Sequence, residues 1–148
     1  MSKISKVGAR QVFDSRGNPT VEAEVFLEDG SKGSSIVPSG ASRGKHEAFE
    51  LRDFENKEYL GKSVLKAVEK VNTEISKILI GITCEDQKKI DQSLIELDNT
   101  AQKKFLGANA MLSVSLAACK ASSISKKIPL YRNLGDHKTL PFPLLNII

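Results

Sequence analysis

The chain has 148 residues, 40% of them hydrophobic and 27% charged, with a formal net charge of +4. That is the size and polarity of one globular domain with a core of its own. The lysines are dispersed and no aromatic residues sit among them, which argues against a nucleic-acid surface, whereas a mildly basic balance suits a small anionic ligand. No stretch has the apolar length of a membrane span, and residues 1–6 lack the apolar core of a signal peptide. Cys84 and Cys119 form no CxxC pair and fall in helix-like segments, so buried free thiols and a cytoplasmic location are expected.

Strands come first. Residues 4–13 are moderately apolar and end at the breaker-rich turn DSRGNP. Residues 20–28 alternate, with Val21, Ala23, Val25 and Leu27 on one face and Glu22, Glu24 and Glu28 on the other. Phe26 interrupts the polar face. Asp29-Gly30 is a hairpin signal, and residues 31–37 complete an antiparallel three-stranded meander with one wet face. After residue 60 the period changes. Val64, Val68, Val71, Ile75 and Ile78, widened by Leu65 and Leu79, predict one long helix over 61–80, ended by Gly81. Thr83 and Asp86 resemble a capping box opening a second helix that buries Ile90, Leu94 and Leu97. Residues 106–125, rich in Ala and Ser, suit a helix that neighbours approach closely. Pro129 starts a short helical turn through Leu134, stopped by Gly135. The fold class is therefore α+β, strands followed by a helical group on one sheet face.

Between the third strand and the first helix runs PSGASRGKH, residues 38–46, nearly devoid of apolar weight but with two serines, two glycines and three basic side chains. It resembles a phosphate loop without the hydroxyl that follows the lysine. NKEYLGKS, residues 56–63, has the GKS ending but lacks the first glycine, and reads more simply as a helix start. Neither histidine, His46 or His137, has zinc-site spacing, and Ser42 is not in a GxSxG elbow. Asp86, Asp91, Glu96 and Asp98 read as a solvated helix face. On residue types alone the loop is either a solvent-exposed crossover or a lid that closes over an anion and lends an oxygen to a hard cation such as magnesium.

The blocks FDSRGNPTVEAEV (13–25), PSGASRGKHEAFELRD (38–53), GKSVLKAVEKVN (61–72), DQSLIELDNT (91–100), LGANAMLSVSLAACKA (106–121), PLYRNLG (129–135) and LPFPLLNII (140–148) span the chain in the order found in the enolase family, which the sequence resembles. The resemblance implies an N-terminal capping domain over 1–138. It also implies that 139–148 is a linker and the start of the first strand of a (β/α) barrel that this sequence does not contain. It implies the reversible dehydration of 2-phosphoglycerate to phosphoenolpyruvate with Mg2+, by a homodimer or higher homo-oligomer, with catalytic residues in the barrel and an isolated chain that is inactive. Ser39, Gly40, Ala41, Ser42 and His46 match the family's lid loop, Ser42 being the serine whose oxygens complete the second magnesium site on closure. Arg10 and Glu22 match residues that form salt bridges to the partner subunit. Arg43 and Asn99 stand where a threonine and a glycine are common in the family. The other function class considered is a freestanding, non-catalytic capping module that docks on a partner through its apolar end.

Overall fold

The computed structural model describes residues 1–40, 44–55, 57–135, 139 and 142–145. Strands β1 (Ile4–Phe13), β2 (Pro19–Leu27) and β3 (Lys32–Val37) form an antiparallel sheet in the order β1-β2-β3. The helical group is α1 (Leu65–Lys70), a π-helical turn (Val71–Ile75), α2 (Ser76–Leu79), α3 (Gln87–Asp98), α4 (Ala108–Ser125) and α5 (Leu130–Leu134). The expected α+β meander and its order of elements are thus present. Residues 142–145 join no strand and are exposed, and the rest of the strand-like run at 140–148 lies outside the described residues.

The alternation in β2 does what its period requires. Val21, Ala23, Val25 and Leu27 are buried beneath the helices, while Glu22 and Glu24 stay half-exposed on the wet face. On that face Phe26 lies between the ammonium groups of Lys6 and Lys32, 5.5 and 5.1 Å from its ring centroid. Such contacts explain an aromatic residue on a polar surface.

α4 crosses β2 and β3 at close range because its inner face is small: Ala110, Ala117, Ala118 and Ala121 are fully buried. β3 answers with Gly33. A Cβ there would stand 2.2 Å from the Ala117 carbonyl oxygen and 2.4 Å from the Ala121 nitrogen. Both are backbone atoms of α4, so no rotamer change relieves the clash.

The long helix differs from its sequence pattern in three ways. It begins at Leu65, not residue 61, because Tyr59, Leu60 and Gly61 take positive φ values of 51°, 56° and 75°. The buried stripe is Val64, Ala67, Val71, Ile75 and Leu79; Val68 and Ile78 are only partly buried, and Leu65 is exposed. Third, the π-helical turn inserts at Val71–Ile75, which re-phases the helix so that Leu79 faces inward. Each fully buried Val, Ile or Leu contributes roughly 1.5–3 kcal/mol, so these side chains dominate the docking of this helix on β1. Within the π-helical turn, the Asn72 side chain accepts from the Ala9 N–H at 2.8 Å and donates to the Ala9 carbonyl at 3.1 Å.

Other readings need correction. Asp86 alone caps α3, its carboxylate accepting from the Lys89 N–H at 3.0 Å, while Thr83 is drawn to the sheet edge opposite Lys3. Asp98 is buried rather than solvated and accepts from the backbone N–H of Thr100 and of Leu106, organising the loop to α4. Asn99, in place of the family's common glycine, takes φ 50°, a conformation asparagine tolerates. Cys84 lies in a turn, not a helix. Its buried thiol donates to the Ala118 carbonyl at 3.1 Å, and burial pushes its pKa up to about 11. Cys119 is buried in α4, and both cysteines are free.

Gly33→Ala is expected to destabilise the fold by about 3 kcal/mol or more, the upper range for overpacking against an unyielding neighbour. Urea denaturation should show a lowered midpoint with an unchanged slope.

Candidate functional site

The loop leaves the sheet at Val37 and returns as an extended segment, residues 49–53, that runs beside the start of α4. The return arm is fixed by backbone and side chain alike. Phe49 N–H donates to the Gln102 carbonyl at 2.7 Å, and Ala108 N–H donates to the Phe49 carbonyl at 2.8 Å. The Asn109 amide accepts from Leu51 N–H at 3.1 Å and donates to the Leu51 carbonyl at 3.0 Å. Gly107, at φ 88°, permits this approach, since a Cβ there would meet the Leu51 Cβ at 2.5 Å.

Arg52 is the centre of the loop's base. It is only 8% exposed. Its guanidinium donates to the Pro19 carbonyl at 3.1 Å, to the Lys62 carbonyl, to Ser39 Oγ at 2.5 Å and to Glu50 Oε1 at 2.8 Å. Ser39 Oγ in turn donates to Glu50 Oε1 at 2.5 Å. One buried cation therefore joins the start of β2, both arms of the loop and the segment before α1. Its neighbour Asp53, also buried, accepts from the backbone N–H groups of Leu65 and Lys66 at 2.8 and 3.1 Å. A carboxylate at a helix N-terminus satisfies otherwise orphan donors. Residues 52–58, a charged segment of the sequence, thus begin with two buried ions.

The β1–β2 turn forms the facing wall. Asp14 Oδ1 accepts from Arg16 N–H at 2.8 Å and from Asn18 N–H at 2.9 Å. The Asn18 N–H above all, helped by the Arg16 N–H and by the charges of Arg16 and Arg52, holds the Asp14 carboxyl below its ordinary range, with desolvation the one opposing effect. Arg16 Nη2 donates to the Ser39 carbonyl at 2.6 Å, and Lys62 Nζ donates to Asn18 Oδ1 at 2.9 Å. Between these walls lies a cleft of about 400 Å³.

The sequence-derived site residues fall as follows. Ser39 is half-buried at the loop base with its hydroxyl fully engaged, so it works as an anchor. Gly40 lines the cleft, and His46 is exposed. Ala41 and Ser42 lie outside the described residues. Arg10 and Glu22 are cross-strand neighbours on the wet face and pair with each other, Nη2 to Oε2 at 2.7 Å. Among the described residues no cluster of His, Cys, Asp or Glu could hold a metal ion, and no helix is long and apolar enough to cross a membrane. Sequence reasoning missed Arg52 and the part played by Arg16 and Lys62. Three of Arg52's partners lie 10 to 33 residues away, so no local pattern announces them.

Comparison with known proteins gives two findings. The family model for the enolase N-terminal domain matches residues 4–134. An enolase of Pelagibacter ubique (strain HTCC1062) is 59% identical over 150 residues, a match that covers 100% of this chain and 36% of that relative. The chain therefore spans about a third of the length of the curated relative it matches.

Arg52→Met is expected to destabilise the fold by about 3 kcal/mol, since it removes the bonds to the Pro19 and Lys62 carbonyls, to Ser39 Oγ and to Glu50 Oε1 at once; chemical denaturation measures it. The Asp14 carboxyl should titrate by NMR below its ordinary value of 3.8. A depressed folded-state pKa gives stability that is present above the unfolded value. That contribution is lost as pH falls through the folded value, so Asp14→Asn should flatten the stability profile only below about pH 4.

Proposed function

Because the chain belongs to the enolase family, we propose that it is the lid-bearing capping domain of a magnesium-dependent phosphopyruvate hydratase, a carbon–oxygen lyase of glycolysis. The reaction is the reversible dehydration of 2-phosphoglycerate to phosphoenolpyruvate, carried out in the cytoplasm by a homodimer or higher homo-oligomer. The observation that carries this reading is the family match over residues 4–134, which includes the whole of the loop SGASRGKH.

In this reading the chain supplies a gate. The lid is the loop of Ser39, Gly40, Ala41, Ser42 and His46, hinged at Ser39, and Ser42 presents its oxygen to a magnesium ion. The described residues contain no metal-holding cluster, so Ser42 would be one donor to a site whose other ligands lie elsewhere. A bound Mg2+ would supply positive charge to stabilise the anion formed when the substrate loses a proton. The chain's own contribution is positioning and exclusion of water. Both arms of the loop are anchored, by Arg16 and Arg52 at Ser39 and by Gln102 and Asn109 beyond Phe49. Motion is thereby confined to the residues between, and closure over substrate removes water from around the reacting charges.

Arg10 and Glu22 are the contacts proposed for the partner subunit. Their mutual pairing within this chain leaves Arg10 exposed on the wet sheet face, with its side chain 63% accessible.

Ser42→Ala, placed in the complete protein of which this sequence is a part, is expected to lower turnover at least about tenfold and to raise the magnesium concentration needed for half-maximal rate. Steady-state kinetics across a magnesium series measure both. Unchanged kinetics over that series would remove Ser42 from the metal site and the lid from the mechanism.

A further inference from the structure

The connection between α3 and α4, residues 99–107, meets the returning arm of the lid loop at Gln102, whose carbonyl accepts from the Phe49 N–H at 2.7 Å. A cavity of about 120 Å³ lies beside this bond, and among the described residues its lining is drawn from residues 40–50 and from Gln102. Gln102 therefore stands as the stop against which the arm is set. It is exposed, so burial does not hold it in place. The backbone around it is strained: Asn99 and Lys103 take φ values of 50° and 59°. Residues other than glycine keep such left-handed conformations only where neighbouring bonds impose them.

Those bonds lead to one carboxylate. Asp98 is 3% exposed. Its Oδ1 accepts from the Thr100 N–H at 3.1 Å and from the Thr100 hydroxyl, and its Oδ2 accepts from the Leu106 N–H at 2.7 Å. Burial of a carboxylate requires donors of this kind. Thr100 passes the constraint onward. Its Oγ1 accepts from the Lys104 N–H at 2.7 Å, and its carbonyl accepts from the Lys103 N–H at 3.3 Å. The carboxylate thus closes the connection across its mouth, and the threonine sets the turn that carries Gln102.

We propose, on the reading of the loop as a lid, that Asp98 is a positioning residue for it, acting through Thr100 and the Gln102 carbonyl. Asp98 bonds to no residue of the lid. It fixes the place where the returning arm stops, as Arg16 and Arg52 fix the departing arm at Ser39. Without that stop, Phe49 is held only through its carbonyl, by the Ala108 N–H, while Asn109 still holds Leu51. The change is therefore confined to Phe49 and the residues before it. A less defined arm lowers the population of the closed lid, and with it the share of molecules in which Ser42 stands at the metal.

The test uses the complete protein, with Asp98→Asn, Thr100→Val and Ser42→Ala made singly and the last two combined. Thr100→Val is the milder change, because it removes the hydroxyl and leaves Asp98 its bond to Leu106; it carries the test if Asp98→Asn does not fold. Hydrogen exchange read by mass spectrometry is expected to be about tenfold faster over residues 46–50 in both variants, and unchanged over β2. Steady-state rates across a magnesium series should show the half-maximal magnesium concentration raised at least about threefold. A smaller folded fraction would lower the rate at every magnesium concentration and leave that midpoint in place. In the Ser42→Ala background, Thr100→Val should add less than its own shift, because both changes act on one site. An unmoved midpoint in the folded variants, unchanged exchange over residues 46–50, or full additivity in the double variant overturns the proposal. If Ser42→Ala still moves the midpoint in that case, the lid reading stands without it. A midpoint that Ser42→Ala does not move removes the lid reading and the role of Asp98 together.

Discussion

A guanidinium buried to 8% exposure holds the functional end of this domain together. A cation in that position is tolerable only when every donor it brings has an acceptor. Arg52 answers much of that demand through both terminal nitrogens, which donate to oxygens drawn from the start of β2, both arms of the loop and the segment before α1. The dependence runs both ways. Those segments share no common sheet, and the cation gives them a shared reason to converge. Asp53 extends the arrangement by holding the first turn of α1, so two adjacent ions fix the loop and the helix in one register.

The rest of the fold supplies a rigid platform for that junction. α4 and β3 interlock through alanine and glycine, and the contact leaves no slack where Gly33 meets Ala117 and Ala121. Asn109, near the start of the same helix, reaches across to Leu51. The close packing of the sheet is thus transmitted to the returning arm of the loop.

Much of this was legible in the sequence, for identifiable reasons. The strands announced themselves because period-two alternation in β2 follows directly from one face being buried. The Ala- and Ser-rich stretch of α4 correctly signalled close approach. The loop stood out because apolar weight vanished abruptly after Val37. What stayed hidden was non-local. A helix stripe at ordinary spacing could not reveal a π-helical turn that re-phases the buried face, nor could three residues with positive φ before Leu65 be read from composition. Asp98 read as solvated charge, and Arg52 and Asp53 drew no attention, because the groups that Arg52 and Asp53 bind lie on other segments and those of Asp98 in the loop beyond its helix. Ala41 and Ser42, the centre of the loop, gain their interest from family resemblance, while the walls of the cleft emerge only once the chain is folded.

One modest contact has a wider bearing. β1 is an outer strand, and outer strands offer unpaired N–H and C=O groups to any passing strand. Here the Asn72 amide occupies both groups of Ala9, imitating a strand backbone with a side chain. Further along the same border, Ile4 exchanges hydrogen bonds with Gly81 and Ile82, and Lys3 pairs with Thr83. The margin of the sheet is therefore sealed at two places by the chain's own helical layer. An edge so finished offers fewer free groups for strand addition at that side, and a single asparagine set in the π-helical turn supplies part of the cover.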